Sequence, residues 1–257
     1  MATQTLLPEF RVLGIRVNAV QIPGVVEWME QCIRERGPAR YVAVTGMHGV
    51  TEAQQSSEFR HILATADLVV PDGMPLVWLG RLHGFSNLAR RVYGPELMET
   101  FCRETGGRYR HFFYGGAPGV ADRIARLERE RYGIRIAGTF CPPFRPLTGE
   151  EEAEVASVIN HAAPDVLWVG LSTPKQERWM YEHRDGLDVP LMLGVGAAFD
   201  LNSGRLKQAP SWMREHGLEW LFRLSAEPRR LWHRYLIQGS KFVWHVLLEL
   251  TALRQYE

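Results

Sequence analysis

The sequence predicts an α/β fold, a mostly parallel sheet with helices on both faces, followed by a basic helical appendage at the C-terminus. Short, near-continuous apolar runs recur along the first 204 residues, and the segments between them have helical periodicity. Such runs are typical of parallel strands buried on both faces, and their alternation with helices favours a doubly wound, Rossmann-like sheet. A third observation, the concentration of arginine and tryptophan after residue 204, predicts the appendage.

Six candidate strands follow one another along the body. They are residues 41–45, 67–71, 111–114, 134–138, 166–170 and 191–195. An additional strand or hairpin is expected over residues 12–20. Helix starts are indicated by capping boxes, in which a Ser or Thr and a Glu or Gln three residues later satisfy N–H groups of the first turn. The candidate boxes are Thr51 with Gln54, Thr148 with Glu151, and Thr173 with Gln176.

Composition excludes several classes of protein. Of the 257 residues, 46% are apolar and 23% are charged, which is typical of a globular chain and excludes a wholly disordered one. The net charge of +1 gives no general indication of nucleic-acid binding. Three widely separated cysteines, Cys32, Cys102 and Cys141, argue against a disulfide framework or a zinc site and fit a cytoplasmic protein. Residues 1–20 lack a signal-peptide core, and no apolar run of about 18 residues predicts a spanning helix.

Charge and tryptophan content divide the chain near residue 204. Residues 205–257 carry nine Lys/Arg and five Asp/Glu, a net charge of +4, and four of the eight tryptophans. We therefore predict a body over residues 1–204 and an appendage over residues 205–257. In a helix, Arg230, Arg234 and Lys241 would share one face. This face could be an ordinary solvated surface, a grip for phosphate or a contact with an anionic membrane.

Ligands of open α/β sheets bind beyond the carboxyl ends of the strands, and four of these ends carry unusual signatures, the first two of which contain glycine. Asp72-Gly73 follows the second strand, where Asp72 is either a turn residue or a general base. The run from Gly115 to Gly119 follows the third strand and is either a tight turn or a phosphate loop at a helix start. This run matches neither the dinucleotide fingerprint nor the P-loop pattern.

Two later strand ends carry polar side chains. Thr173 and Gln176 could cap a helix, yet together with Lys175 and Glu177 they supply more polar groups than a cap requires. Asp200, after the last strand, could cap the next segment or hold ribose hydroxyls, as acidic residues do in dinucleotide folds. The nine histidines form no ligand cluster, and no Asp-x-Asp follows a strand, so no metal site is predicted.

Seven motifs occur in a fixed order between about residues 41 and 235. They are Pro71-Asp72-Gly73; Arg91-Val92-Tyr93-Gly94; Gly115-Gly116-Ala117-Pro118-Gly119; Pro174-Lys175-Gln176-Glu177; Gly194-Val195-Gly196 with Phe199-Asp200; Ala209-Pro210 with Trp212; and Glu219-Trp220-Leu221 with Arg223-Leu224, Glu227-Pro228 and Arg230. Each motif alone is weak, but the seven in order closely resemble the WecG/TagA/CpsF glycosyltransferases.

The resemblance implies an inverting, metal-independent enzyme without a cofactor. It would move a sugar, of N-acetylmannosamine type or a related hexose, from a UDP-sugar to an undecaprenyl-diphosphate-linked sugar in surface polysaccharide or teichoic-acid-type synthesis. The implied partners are this donor, this polyprenyl-linked acceptor and the inner face of the cytoplasmic membrane, with no nucleic acid. A homo-oligomer is left open. Two alternatives are a nucleotide-dependent oxidoreductase, which lacks its pyrophosphate fingerprint here, and a non-enzymatic membrane or nucleic-acid adaptor, which leaves the polar strand ends unexplained.

The same resemblance assigns roles to individual residues. Asp72 matches the catalytic base. Substrate-binding roles are implied for Thr45, Arg91, Gln176, Asp200, Arg223 and Arg230. Of these, the two appendage arginines, Arg223 and Arg230, are expected over the diphosphate. Met47 stands where the family has an amide side chain, which leaves the donor sugar open.

Overall fold

The computed structural model describes residues 7–256 and confirms the α/β fold. Two strands form an antiparallel hairpin, β1 (Glu9–Val12) and β2 (Ile15–Asn18). Six strands form the main sheet: β3 (Arg40–Thr45), β4 (Leu68–Pro71), β5 (Arg110–Gly115), β6 (Arg135–Phe140), β7 (Val166–Gly170) and β8 (Leu191–Gly194). The strand order is β4-β3-β8-β7-β5-β6, and the pairings of β8 with β3 and β7, and of β5 with β7 and β6, are parallel.

Helices connect these strands, as the predicted alternation requires. The α-helices are α1 (Ile22–Glu35), α2 (Met47–Gln55), α3 (Ser57–Thr65), α4 (Met74–Leu82), α5 (Gly94–Thr105), α6 (Val120–Tyr132), α7 (Gly149–Ala162), α8 (Lys175–His183), α9 (Ala198–Asn202), α10 (Ser211–Glu215), α11 (Glu219–Ala226), α12 (Pro228–Trp232) and α13 (Gly239–Leu250). A π-helical segment, His233–Gln238, lies between α12 and α13.

All six predicted strands are present, and five of them are buried apolar runs, whereas the edge strand β6 is only half-buried. Every residue of β4 and β8 is buried, as expected for strands covered on both faces. The hairpin begins about three residues earlier than predicted. Its turn lies at Leu13-Gly14, where both residues have positive φ, so the pairing extends back to Glu9.

One of the three predicted capping boxes is confirmed. The Glu151 N–H donates to Thr148 Oγ1, and the Thr148 N–H donates to Glu151 Oε2 at 2.8 Å. The other two predictions are wrong. Thr51 lies inside α2, which begins directly after β3, and its hydroxyl donates to the Met47 carbonyl. Thr173 precedes the N-cap of α8, and its hydroxyl donates to Glu177 Oε1 at 2.8 Å instead.

The described residues form two compact units. The first contains the chain up to Gln21, Val44–Tyr93 and the residues from Gln208 onward, so the C-terminal helices cluster with β4 and α4. The second contains Ile22–Ala43 and Gly94–Lys207. The boundary near residue 204 stays a prediction.

The second unit buries an ionisable side chain on α6. Glu128 is fully buried, and among residues 7–256 neither of its carboxylate oxygens meets hydrogen-bond geometry with a donor, although the Cys102 thiol lies close enough to interact. Burial raises the pKa of Glu128 to about 7, while Arg131 opposes the shift. Because this carboxyl holds its proton more tightly in the folded state, the stability it contributes is lost as the pH rises from about 4.5 through about 7.

We therefore expect Glu128→Gln to become more stable relative to the natural protein as the pH rises. Between pH 5 and pH 8, the difference in unfolding free energy should move by about 2–3 kcal/mol in favour of the variant, because the amide has no proton to lose. Thermal or denaturant unfolding at both pH values measures this change. Glu130→Gln, at an exposed position of the same helix, is the control. A difference that is the same at both pH values would contradict the assignment.

Candidate active site

Asp72 lies at the carboxyl end of β4, in the turn that leads into α4. Its N–H donates to the Thr45 carbonyl at the end of β3, at 2.8 Å. Gly46 permits this approach, because a Cβ at that position would come within 2.4 Å of the Asp72 carbonyl oxygen. On the other side, the Val92 N–H donates to the carbonyl of Pro71 at 2.8 Å. Asp72 is thus held by backbone contacts within the first unit.

Two polar side-chain atoms at this position are shielded from solvent and lack a hydrogen-bond partner in residues 7–256. They are Asp72 Oδ1 and Thr45 Oγ1. Buried polar atoms in folded proteins nearly always have partners. Asp72 as a whole residue is half-buried, so a ligand could reach it. The structure therefore brings together two of the predicted site residues and leaves each with unused hydrogen-bonding capacity.

Charged residues surround the Asp72 carboxyl. Burial raises the pKa of Asp72 to about 6, Arg91 opposes this shift most strongly, and Glu219 adds to it. Arg223 and Arg234 also act to lower the pKa. A pKa near the working pH is what a general base requires, because the ionised form is then populated and still basic.

Arg91 is held by two neighbours. It forms a short ion pair with Glu219, from Nη2 to Oε2, and its guanidinium lies over the Tyr93 ring, 4.1 Å from the centroid. The Tyr93 hydroxyl donates to the other Glu219 oxygen at 2.9 Å, and burial raises the pKa of this phenol, which keeps its proton. We name these residues together with Asp72, Arg223 and Arg234 the Asp72 cluster.

Two arginines of the Asp72 cluster come from the C-terminal helices. Arg223 lies on α11 and interacts electrostatically with Glu219 and Asp72. Arg234 lies in the π-helical segment, and its Nε is shielded from solvent without a hydrogen-bond partner in the described chain. Burial lowers the pKa of Arg234, and the charges of Arg223 and Arg230 lower it further. A bound anion would relieve both effects.

Three members of this cluster have no role predicted from the sequence: Tyr93, Glu219 and Arg234. Tyr93 and Glu219 occur in the quoted motifs, and Arg234 was placed only on a basic helix face. For Tyr93 and Glu219, their place in these motifs was the feature of the sequence that could have indicated a role. Arg230, which was assigned to the diphosphate, is exposed and pairs with Glu227 at 2.9 Å.

In the second unit, Gln176 is buried at the start of α8. Its Nε2 donates to Glu177 Oε1 at 3.0 Å, whereas its Oε1 has no hydrogen-bond partner among residues 7–256. Gly194 makes room for it at the end of β8, since a Cβ there would lie 2.9 Å from Gln176 Nε2. The amide oxygen is therefore fixed and has unused acceptor capacity.

The glycine-rich run and Asp200 also belong to the second unit. Gly115 has a positive φ and lies against β7, where a Cβ would come within 2.7 Å of the Gly170 carbonyl. The run ends at Gly119, which caps α6. Asp200 lies on α9 and forms an ion pair with Arg205 at 3.0 Å. The close approach of Gly115 to β7 therefore fixes the start of the glycine-rich run, and Arg205 occupies one oxygen of the Asp200 carboxylate.

Within residues 7–256, no group of three or more His, Cys, Asp or Glu side chains is arranged to hold a metal ion. None of the helices formed by these residues has the length and apolar content to span a bilayer. The C-terminal residues nevertheless expose many large apolar side chains. They are Trp212, Leu221, Trp232, Leu236, Ile237, Val243, Trp244, Leu247, Leu250 and Leu253.

Comparison with known proteins gives a consistent picture. A model of the family described as "Glycosyl transferase WecG/TagA/CpsF family" matches residues 10–256. An N-acetylglucosaminyldiphosphoundecaprenol N-acetyl-beta-D-mannosaminyltransferase of Bacillus spizizenii is 30% identical over 229 residues, covering 88% of this chain and 86% of that protein. A protein of the same name from Bacillus subtilis is 28% identical over 199 residues, covering 77% and 75%.

Proposed function

The chain belongs to the WecG/TagA/CpsF family of glycosyltransferases, as its motifs predicted, and we propose that it transfers an N-acetylmannosamine-type sugar from a UDP donor to an undecaprenyl-diphosphate-linked sugar. The acceptor and the sugar are those in the names of the two Bacillus relatives, and the UDP donor is what the motif resemblance implies. No observation on the described residues favours the oxidoreductase or adaptor alternatives.

The observation that carries the proposal is the buried, unpartnered Asp72 oxygen among three guanidinium groups. An acceptor hydroxyl is a poor nucleophile until a base takes its proton. In the proposed step, the hydroxyl oxygen bonds to the anomeric carbon while the bond from that carbon to the UDP β-phosphate oxygen breaks. The proton passes to Asp72, and UDP leaves with the bonding electron pair. Attack on the face opposite UDP inverts the anomeric configuration.

Arg223 and Arg234 are suited to the departing diphosphate. Fixed positive charge in a poorly solvated site stabilises developing negative charge without reorganisation, and guanidinium groups grip phosphate oxygens in pairs. These groups could replace a divalent cation, so we propose a metal-independent reaction. For the donor, we keep the implied binding roles of Thr45, Gln176 and Asp200. The unpartnered oxygens of Thr45 and Gln176 support the first two.

A donor screen tests the proposed function. The purified full chain is incubated with several UDP-sugars and a short-chain lipid-diphosphate-linked N-acetylglucosamine, and the product mass is measured. We expect one added N-acetylhexosamine with UDP-N-acetylmannosamine, and unchanged turnover after EDTA treatment. No transfer from any UDP-sugar would overturn the proposal. Loss with EDTA that is restored by Mg²⁺ or Mn²⁺ would overturn the metal-independent part.

We also propose that the C-terminal helices place the enzyme on the inner face of the cytoplasmic membrane. Trp232 and Trp244 are 49% and 61% exposed, and the basic residues Arg229 and Lys241 are exposed nearby in the sequence. Tryptophan favours the membrane interface, and each basic residue near an anionic surface contributes about 1 kcal/mol. Exposed apolar and basic side chains on one segment are thus suited to an anionic lipid surface.

Replacing both tryptophans, as Trp232→Ser with Trp244→Ser, should reduce binding to anionic vesicles by at least about tenfold, because interfacial contacts are lost. Turnover on a detergent-soluble acceptor should change little. Vesicle co-flotation and the transfer assay measure the two effects. Phe144→Ser is the control, because Phe144 is 93% exposed but lies outside the C-terminal helices. Equal vesicle binding by the double variant and the natural protein would contradict this assignment.

A further inference from the structure

Glu219 is a buried carboxylate with two fixed partners. It is 7% exposed, receives the Arg91 guanidinium on one oxygen and receives the Tyr93 hydroxyl on the other. Because Arg91 also lies over the Tyr93 ring, the three side chains restrain one another. Such a contact fixes the position of the positive charge on Arg91 far better than an exposed ion pair would.

The burial of this ion pair needs a reason other than stability. Removing two charges from water is strongly unfavourable, and apolar replacements of buried pairs are often neutral or stabilising. Buried charges that persist are commonly found where their field is used. Asp72 experiences this field, since Arg91 is the charge that most strongly opposes the effect of burial on its carboxyl.

The charges that act on Asp72 come from three segments of the first unit. Arg91 follows α4, Glu219 and Arg223 lie on α11, and Arg234 lies in the π-helical segment. The three arginines favour an ionised but weakly basic carboxylate, whereas Glu219 opposes them. Without Glu219, Asp72 would have three positive neighbours and no negative one among these groups. A less basic carboxylate removes a proton from a hydroxyl less effectively.

We propose that Glu219 is a positioning residue for Asp72. Glu219 holds Arg91 in place and offsets part of the positive charge around the base. The inference rests on the proposed function of Asp72 and adds a consequence for the C-terminal helices. Since Glu219 and Arg223 lie one helical turn apart on α11, the helix that supplies a cation for the diphosphate also supplies the anion that keeps Asp72 basic. The position of α11 therefore sets the positions of Glu219 and Arg223 together.

The test uses the full chain and two readouts. The Asp72 carboxyl is titrated by ¹³C NMR, with its signal identified by its loss in Asp72→Asn, and the pH profile of kcat/KM is recorded. Glu219→Gln should move both the titration and the acidic limb of the profile to lower pH by about one unit, the size expected for loss of one nearby charge. Arg91→Gln should move both to higher pH, because it removes the strongest opposing charge.

The double variant Glu219→Gln with Arg91→Gln should titrate between the two single variants. If Glu219→Gln does not fold, the double variant is compared with Arg91→Gln and should titrate at lower pH. Glu227→Gln is the matched control, because it removes a carboxylate that pairs with exposed Arg230 in the same segment. It should leave the titration unchanged.

The inference and the proposed function fail in different ways. If the natural protein transfers no sugar, the proposed function fails, while the NMR titration still reads the effect of Glu219 on Asp72. If Glu219→Gln lowers melting temperature and turnover but leaves the Asp72 titration in place, Glu219 is only structural and the inference is overturned. A shift to higher pH in Glu219→Gln would overturn it as well.

Discussion

Asp72→Asn is expected to reduce sugar transfer by about 10²–10⁴-fold, the range for loss of a general base. The amide has nearly the same volume as the carboxyl group. The hydrogen bond from the backbone N–H of residue 72 to the Thr45 carbonyl stays intact, so the fold and donor binding should change little. Because burial raises the pKa of Asp72 to about 6, kcat/KM of the natural protein should fall below about pH 6 as the carboxyl is protonated. Steady-state kinetics across pH 5–8 measure both effects.

Asp185→Asn is a matched control, since Asp185 is exposed and lies outside the Asp72 cluster. Melting temperature and UDP binding of both variants separate a chemical defect from a folding defect. Near-normal turnover of folded Asp72→Asn would remove Asp72 as the base. A rate loss that is matched by a lost melting transition would show only that the residue supports the fold.

The strands could be predicted because their information is local. Each predicted strand appears close to its expected position, and in five of the six the continuous apolar run reflects burial in the sheet. Asp72 could be placed for a related reason, since an Asp-Gly pair after a strand must lie at the carboxyl edge of the sheet. Local chemistry was a weaker guide for Thr173, whose hydroxyl could accept a backbone N–H as a cap but donates to the Glu177 carboxylate instead.

The surroundings of Asp72 could not be predicted in this way. Glu219 and Arg91 are 128 positions apart, and no local pattern reports that their side chains meet. Arg234 was placed on a helix face by assuming 3.6 residues per turn, but it lies in a π-helical segment, where that spacing does not hold. Whether Arg230 also reaches a diphosphate stays a prediction, since it pairs here with Glu227.

Arg223→Ala and Arg234→Ala, made singly, are each expected to reduce turnover by about 10²–10³-fold, the range for loss of one preorganised group that stabilises developing negative charge. The loss should be larger for Arg234→Ala. Burial and the neighbouring arginines disfavour the charged form of Arg234, so this guanidinium gains more than an exposed one when an anion binds. Lysine at either position should restore only part of the rate, since an ammonium group cannot contact two phosphate oxygens in the same fixed geometry. Affinity for UDP, measured by calorimetry, should fall along with turnover.

Arg229→Ala is the control for general charge loss, because Arg229 is an exposed residue of α12 in the same segment. It should keep its turnover on a detergent-soluble acceptor. Arg230→Ala tests whether Arg230, in addition to Arg234, contacts the diphosphate. If it matches the loss in Arg234→Ala, Arg230 leaves Glu227 when the donor binds, and both arginines contact the diphosphate. If Arg223→Ala and Arg234→Ala both retain full turnover and UDP affinity, guanidinium groups do not stabilise the leaving group. The charge on UDP must then be met by other groups, which would also remove the support for metal-independent transfer.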